Sequence, residues 1–287
     1  MFQTNFIFQT KKYMLSAATI FLLLVSMILT ACGGAGSVKK DTAQNDKPIE
    51  ITDVTGQKVT LKKPAERVVV QWSASGGAFL TMAALTGKNV TNLIVGIDPS
   101  LSKYRTDMWN RFKKDLPALE KIPSIGSVSD KTFNIEQVLA LNPDVIFIPL
   151  DLKEQYESDV KAKLDTAGIP TIYIDYHSEK LENHQRTIDA IGKALGKEER
   201  AAELKQFYTD HVTKVTDRIN KISKPKPTVY IEVGMQGPES FGYAFSSNYS
   251  WGALATLWAP ILSQRMLSRP GGRLTLNSCW KRIPILL

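Results

Sequence analysis

Aromatic, charged and polar side chains occur in the loops that follow the apolar runs of this chain, where a ligand could contact them. The first group comprises Trp72, Ser73, Tyr104, Arg105 and Asp151. The second group comprises Glu232, Gln236, Tyr243, Tyr249 and Trp251. Aromatic faces can stack on a ligand, and an arginine can pair with an anion. These ten residues are therefore candidates for the walls of a binding cleft. For each aromatic residue, ordinary packing remains an alternative.

The segment Ser73–Gly77 reads Ser-Ala-Ser-Gly-Gly and allows two interpretations. Its backbone N–H groups could point toward an anion at the start of the following helix. Alternatively, the glycines simply allow a tight turn. The sequence alone does not decide between them.

Catalytic motifs are absent from the chain. There is no G-x-x-x-x-G-K-S/T, G-x-G-x-x-G, H-E-x-x-H or G-x-S-x-G. The histidines are His177, His184 and His211, whose spacing does not suit a paired metal site, and we expect all three at the surface. The sequence therefore predicts no enzyme, no protein metal ligands and no cofactor. A cell-surface hydrolase would need a nucleophile–base pair, and an adhesive protein would be expected to show repeats; neither is visible.

An alternation of strands and helices should position the candidate residues. We predict a hairpin over Ile49–Leu61, then strands at 67–71, 93–97, 145–149 and 171–175, with helices between them. This order predicts a parallel sheet covered on both faces, in an α/β lobe over residues 49–196. Functional groups should lie in the loops at the carboxyl ends of the strands.

A long amphipathic helix is predicted over residues 197–222. Its apolar positions recur at steps of three and four, and they are Ala201, Leu204, Tyr208, Val212, Val215, Ile219 and Ile222. Prolines at 225 and 227 end it. Because α/β patterns lie on both sides, we interpret it as the connection between two lobes, the second beginning at residues 223–257.

The N-terminus has the pattern of a secretory signal. Lys11 and Lys12 precede an apolar run, and Leu-Thr-Ala-Cys ends at Cys32. This pattern resembles the bacterial lipobox, which predicts a signal peptide over 1–31, lipidation (palmitate) at Cys32 and a flexible tether over 32–48. A plain transmembrane anchor is the alternative.

The net charge of +8 does not indicate a nucleic-acid partner. Residues 1–31 account for two of these charges and residues 258–287 for five, which leaves +1 for the body of the chain. A nearly neutral body has no basic patch for a polyanion. Of the two cysteines, Cys32 is assigned to lipid and Cys279 lies in the tail, so no disulfide is predicted.

Several segments together resemble the substrate-binding lipoproteins of iron–siderophore ABC importers. They are KKPAERVVV (62–70), GSVSDKTFNIEQVLALNPDVIFI (126–148), AGIPTIYID (167–175) and IGKALGKEERA (191–201). The resemblance implies two Rossmann-like lobes bridged by one long helix, with the ligand in the cleft between them. It also implies a monomer, lipid-anchored on the extracytoplasmic face, that delivers a ferric siderophore to a permease and its ATPase. Haem, cobalamin or another metal chelate is the alternative ligand.

The character of the chain changes after Leu257. Residues 258–287 contain no acids and no clear period. A shifted reading frame consistent with these residues yields GANIVAKDAVTPGGAVNSELVLEKNPDII, in which ELVLEKNPDII parallels Glu136–Ile146. We therefore expect an out-of-frame tail without stable packing, an incomplete second lobe and impaired function. A divergent genuine tail is the alternative, and the nucleotide sequence tests both.

Overall fold

The computed structural model describes residues 47–75, 77–225, 229, 231, 247 and 249–257. The predicted signal peptide (1–31), nearly all of the tether (32–48) and the tail (258–287) lie outside these residues. No helix in the described part of the chain has the length and apolar character needed to cross a membrane.

Six strands form a hairpin and a parallel sheet. The strands are β1 Ile49–Thr52, β2 Lys58–Leu61, β3 Val68–Val70, β4 Ile94–Ile97, β5 Val145–Pro149 and β6 Thr171–Ile174. β1 and β2 pair antiparallel, while the four-stranded sheet has the order β4-β3-β5-β6 with every pair parallel. The predicted strand positions and the predicted parallel pairing are thus confirmed.

Ten α-helices are described around this sheet. They are α1 Ala78–Thr86, α2 Val90–Leu93, α3 Ser100–Tyr104, α4 Thr106–Asp115, α5 Ile135–Leu141, α6 Lys153–Tyr156, α7 Ala162–Thr166, α8 Leu181–Ala194, α9 Glu198–Asn220 and α10 Ser250–Thr256. Short 3₁₀ segments lie at Gly87–Asn89, Pro117–Lys121 and Leu150–Leu152, and a π-helical segment at Glu157–Lys161 joins α6 to α7. Arg105 separates α3 from α4.

The sheet is buried on both faces, and its strands carry apolar side chains at nearly every position, with Thr171 and Gly96 as exceptions. In β5, Val145 and Phe147 belong to one core cluster with α1 and α8, whereas Ile146 and Ile148 belong to a second cluster with Tyr156. This alternation follows from the two-residue period of a strand. The sheet is therefore a rigid support for the loops at its edges.

The hairpin is attached to the sheet by the carboxylate of Asp53, which is fully buried. Its Oδ1 accepts from the backbone N–H groups of Thr55 (2.8 Å) and Gln57 (3.0 Å). Its Oδ2 accepts from the backbone N–H of Tyr173 in β6 at 3.1 Å. One side chain thus closes the turn between β1 and β2 and joins that turn to β6.

α9 matches the predicted long helix closely in its bounds but only partly in its burial. Near its start, Ala201 is 1% exposed and packs against α8. A Cβ added to Gly192 of α8 would lie 2.4 Å from the Cβ of Ala201, so the two helices are in close contact. Farther along, Val215 is 44% exposed, and Ile222, just beyond the helix, is 55% exposed. Within the described residues, Ala201 is therefore the one buried member of the apolar stripe, while Leu204, Tyr208, Val212 and Ile219 are half-buried.

Candidate functional site

The loops after the four parallel strands meet at one edge of the sheet, and Ser75 connects three of them. Its carbonyl oxygen accepts from Trp72 Nε1 at 2.9 Å and lies 3.4 Å from His177 Nε2. Its hydroxyl accepts from Arg105 Nη1 at 2.5 Å. The loops after β3, β4 and β6 are thereby held together.

Trp72 lies at the centre of an aromatic group. Its ring centroid is 5.8 Å from that of Tyr104, with an interplanar angle of 31°, and 6.1 Å from that of His177, in an edge-on arrangement. The backbone of Trp72 has φ 52°, which is uncommon for a residue with a side chain. Because this conformation turns the chain sharply after β3, the indole is directed toward its own loop and bonds to Ser75.

Arg105 supplies the cation of the site, at the break between α3 and α4. Its Nε and Nη2 donate to the two oxygens of Asp107 at 3.1 and 3.0 Å. The hydrogen bonds and charge of Asp107 raise the pKa of Arg105 above its usual value. The side chain remains 38% exposed, so its guanidinium is accessible to an anionic ligand.

Asp151, His177 and Tyr249 form a second polar group. Asp151 Oδ2 lies 3.0 Å from His177 Nδ1 and accepts from the Tyr249 hydroxyl at 3.0 Å. Burial alone would raise the pKa of Asp151, but the hydrogen bond and charge of His177 outweigh it and lower the pKa. Burial alone would lower the pKa of His177, but Asp151 outweighs it and raises the pKa. Burial and the charge of Asp151 raise the pKa of Tyr249.

A cavity of about 580 Å³ adjoins these residues. Its wall includes Ser75, Arg105 and His177, and otherwise consists mainly of side chains from four helices, among them Leu80, Ala84, Ile188, Leu204, Phe207, Trp251 and Leu254. Volumes of this size are typical of small-molecule sites, which are mostly apolar with a few placed polar groups. Phe207 and Trp251 are 62% and 60% exposed, so the aromatic part of the wall is open.

His184 forms part of the same cavity wall and is buried. Its Nδ1 lies 2.6 Å from the Tyr208 hydroxyl and its Nε2 lies 3.0 Å from the Tyr176 carbonyl oxygen. Burial lowers the pKa of His184, which favours the neutral ring. The prediction that all three histidines lie at the surface was therefore wrong for His184, and the His177 side chain is only 13% exposed.

Most of the first predicted group is brought together by the structure, but Ser73 is not. Arg105 lines the cavity, Trp72 and Asp151 contact the wall residues Ser75 and His177, and Tyr104 packs on Trp72, whereas Ser73 is fully buried. The Ser73 hydroxyl donates to the carbonyl oxygen of Asp98 at 2.9 Å, and its backbone N–H donates to the Asp98 carboxylate. This pairing across the ends of β3 and β4 removes Ser73 from the candidate ligand surface.

Among the described residues of the loop after β3, the backbone N–H groups of Ser73, Ala74 and Gly77 all have acceptors within the protein. The backbone N–H of Ala74 donates to Ser100 Oγ at 3.0 Å, and that of Gly77 donates to Ala74 O at 3.2 Å. With the N–H of Ser73 also engaged, these donors are used within the protein. A Cβ at Gly77 would lie 1.6 Å from the Trp72 carbonyl oxygen, so the turn requires glycine there.

In the second predicted group, Tyr249 joins the polar group and Trp251 lines the cavity. Glu232, Gln236 and Tyr243 lie outside the described residues. Sequence reasoning missed His177 and Ser75. The position of His177 directly after a predicted strand was a usable signal, whereas Ser75 acts partly through its carbonyl oxygen, which no side-chain pattern reveals.

The cavity lies beside the loops at the edge of the parallel sheet, it is mainly apolar, and Arg105 contributes a partly exposed cation to its wall. These features define a protein that binds a small molecule. Residues 84–258 match the family described as periplasmic binding protein. Since this match covers more than half of the chain, the chain belongs to the periplasmic binding protein family, which is a family of solute-binding proteins and not an enzyme class.

Individual relatives agree with this assignment. The Bacillus subtilis protein YvrC, named as an uncharacterized ABC transporter substrate-binding lipoprotein, is 25% identical over 216 residues, covering 74% of this chain and 62% of the relative. The crystal structure of the TroA-like periplasmic binding protein FepB from Veillonella parvula is 67% identical with a TM-score of 0.70, covering 76% of this chain and 62% of that one. A periplasmic solute binding protein from Veillonella parvula is 25% identical with a TM-score of 0.60, covering 82% of this chain and 66% of that one.

The predicted α/β fold class, of the periplasmic-binding-protein type, is thereby confirmed. The chain spans less than two thirds of the length of each of these three relatives.

Proposed function

We propose that this protein is the extracytoplasmic solute-binding component of an ABC importer and that it captures a ferric siderophore. The observation that carries the proposal is the position of Arg105 in the wall of the 580 Å³ cavity, next to the paired rings of Trp72 and Tyr104, of which Trp72 contacts the wall residues Ser75 and His177. Rings and an accessible guanidinium recognise a ligand that is flat, anionic or both. A ferric catecholate siderophore is anionic and carries aromatic rings, so both kinds of contact are available to it.

The sequence resemblance and the family support the remaining parts of the proposal. According to this proposal, α9 connects two lobes and the ligand binds between them. The protein is a monomer and delivers the bound ligand to a permease that works with an ATPase. A lipid on Cys32 anchors the protein to the membrane. Replacing that cysteine, Cys32→Ser, should move the protein from the membrane fraction into the soluble fraction, and retention in the membrane fraction would contradict the anchor.

Haem is the alternative ligand that a specific observation favours. The cavity wall is mostly apolar, with Leu80, Ile188 and Leu254 among its side chains, and a large flat macrocycle would bury much apolar surface there.

A hydrolytic function is not favoured by the geometry. Asp151 and His177 are paired as in a catalytic triad, but His177 Nε2 faces the carbonyl oxygen of Ser75 and not its hydroxyl. The Ser75 hydroxyl instead accepts from Arg105. A base that faces an acceptor cannot activate a nucleophile there.

Quenching of tryptophan fluorescence tests the proposal. Ferric siderophores of the catecholate and hydroxamate classes, haem and cobalamin would be titrated into the full chain, with the iron-free siderophores as controls. We expect saturable quenching by a ferric siderophore, with a smaller amplitude in Trp72→Phe. The matched control is Trp109→Phe, which changes a ring of α4 that packs on the core. This variant should retain the part of the quenching that comes from Trp72. Quenching by haem alone would select the alternative ligand, and quenching by no chelate would refute the binding function.

A further inference from the structure

The cavity beside the sheet has a charged end and an apolar end. Its charged side chains, Arg105 and Glu179, come from the loops at the carboxyl ends of the strands. Its apolar side chains come from the helices α1, α8, α9 and α10. We propose that the apolar end holds a saturated acyl chain, and that the anionic head of the same ligand lies against Arg105.

The first helix gives the direction and the length of the apolar end. α1 begins directly after the loop that follows β3, and the cavity is lined along it by Gly77, Leu80, Thr81 and Ala84. These residues are three and four positions apart, so they form one stripe that runs away from the loops. From Gly77 to Ala84 the stripe covers seven residues at about 1.5 Å each, or about 10 Å.

Two other helices extend the apolar wall in the same direction. α8 begins just beyond the loop that follows β6, so Ile188 lies about two turns into the helix. Lys205 Nζ of α9 donates to the Asp189 carboxylate of α8 at 2.8 Å, which places the neighbouring residues Leu204 and Ile188 at the same level. Both side chains therefore line the end of the cavity that is far from the loops.

The polar groups between these apolar side chains are paired with one another. The Thr81 hydroxyl bonds to the Tyr176 hydroxyl. The two ring nitrogens of His184 are used by the Tyr208 hydroxyl and the Tyr176 carbonyl oxygen. A polar ligand group placed among these described residues would lose its bonds to water and find few partners. A hydrocarbon chain loses nothing there and is removed from water.

The guanidinium of Arg105 suits the head of such a ligand. It is partly exposed, and it donates to the hydroxyl of the wall residue Ser75. A carboxylate or another anionic oxygen can accept from it in a charge-assisted hydrogen bond. The Glu179 carboxylate at the same end would repel an anion, which restricts the head to the neighbourhood of Arg105.

The length of the stripe predicts the length of the acyl chain. An extended chain advances about 1.3 Å per carbon, because its bonds of about 1.5 Å are oblique to its axis. The stripe of about 10 Å therefore holds roughly eight carbons. At its far end, Arg200 Nε of α9 donates to the Ala84 carbonyl oxygen at 3.4 Å, which joins α1 to α9 and brings a charged side chain there. Carbons beyond the eighth should therefore gain little.

This inference rests on the proposed function for the presence of a chelate, and it names the class of chelate, one that carries an acyl chain. The argument for the chain does not depend on iron. The inference and the proposed function can therefore fail separately.

Two series of ligands with increasing chain length test the inference by calorimetric titration of the full chain. One series consists of straight-chain carboxylates of four to fourteen carbons, kept below the concentrations at which they form micelles. The other consists of the ferric complexes of bis(2,3-dihydroxybenzoyl)lysine alkyl amides with the same chains. In both series, each added methylene should strengthen binding about fourfold, as expected for a methylene removed from water. The gain should end at roughly eight carbons.

Variants assign the effect to the two ends of the cavity. Ala84→Leu fills the far end, so the gain should end about two carbons earlier. The matched control Ala202→Leu changes an exposed alanine of α9 outside the cavity wall, and it should leave the series unchanged. Arg105→Ala should weaken every carboxylate roughly 10-fold without changing the gain per methylene. Circular dichroism melting establishes that each variant is folded.

The outcomes separate this inference from the proposed function. Ferric chelates that bind equally well at every chain length would overturn the acyl chain and leave the proposed function standing. Carboxylates that bind more tightly as they lengthen, with no binding of the ferric chelates, would support the acyl chain and refute the capture of a siderophore. A gain that continues past twelve carbons, or that changes equally in Ala84→Leu and Ala202→Leu, would also overturn the inference.

Discussion

The contact between Gly192 of α8 and Ala201 of α9 should determine how closely the two helices pack. Replacing Gly192 with alanine places a methyl group 2.4 Å from the Cβ of Ala201, whereas ordinary contact begins at 3.4 Å. Both atoms are fixed to helical backbone, so neither can rotate away and α9 must move by about 1 Å. Overpacking of this kind costs about 1–3 kcal/mol. Alanine gains about 1 kcal/mol over glycine in helix propensity, so the net loss in Gly192→Ala is up to about 2 kcal/mol.

A double-mutant cycle isolates the steric part of this effect. Ala201→Gly alone loses about 1 kcal/mol of helix propensity and one buried methyl group. In the double variant the new methyl at 192 meets no Cβ, so the two changes should couple favourably by about 1–3 kcal/mol. The matched control Ala202→Gly alters the next, exposed residue of α9, and it should not rescue Gly192→Ala.

Urea unfolding followed by far-UV circular dichroism measures these free energies. Because α9 carries Leu204, Phe207 and Tyr208 into the cavity wall, Gly192→Ala should also weaken ligand quenching, and Ala201→Gly should restore it. Additive free energies, within about 0.5 kcal/mol, would refute the close contact. Equal rescue by Ala202→Gly would refute it as well.

Three further predictions concern single side chains. Burial lowers the pKa of His184 in the folded state below its ordinary 6.5. As the pH falls, His184 is therefore protonated in the unfolded chain before it is protonated in the folded one, and the free energy of unfolding should fall as the pH drops below about 6.5. Urea unfolding at several pH values should show that the free energy of unfolding depends less on pH in His184→Gln than in the unchanged protein. The same dependence on pH in both proteins would contradict this. Arg105→Ala should weaken binding of an anionic chelate roughly 10-fold in the quenching titration, whereas Lys113→Ala, which alters a lysine paired with an acid on the same lobe, should not. Asp53→Ala leaves the backbone N–H of Tyr173 without its acceptor and opens the β1–β2 turn, so urea unfolding should show a loss of about 3 kcal/mol or more; a loss below about 1 kcal/mol would contradict that role.

The strands and the sheet could be predicted from the sequence because burial on both faces requires continuous apolar runs. Val145–Pro149 is such a run, and its predicted bounds match β5. Parallel pairing then places the carboxyl ends of the strands at one edge. It therefore predicts that Trp72, Arg105 and Asp151 lie at the same edge of the sheet, where Ser75 contacts the first two and His177 links Ser75 to Asp151.

The remainder of the site depends on contacts between residues far apart in the sequence. Ser73 has the type expected of a ligand-binding residue, but Asp98, twenty-five residues later, engages its hydroxyl inside the lobe. A single histidine has no spacing pattern, so the pairing of His177 with Asp151 could not be read from the chain. The short helix α3 was not predicted, because five residues are too few for a helical period to be recognised.

The hydrogen bond from the Trp72 indole to Ser75 has a thermodynamic consequence for association. In a free protein, a rotating side chain loses conformational entropy when a ligand fixes it, at about 0.5–1.5 kcal/mol per side chain. Two features already fix the Trp72 ring. The turn at φ 52° fixes the backbone of the residue, and the hydrogen bond to the Ser75 carbonyl oxygen fixes Nε1 of the ring. Its ordering therefore takes place during folding and not during binding. Phenylalanine at this position would keep most of the apolar ring yet lose that restraint, so its weaker binding would be largely entropic in origin.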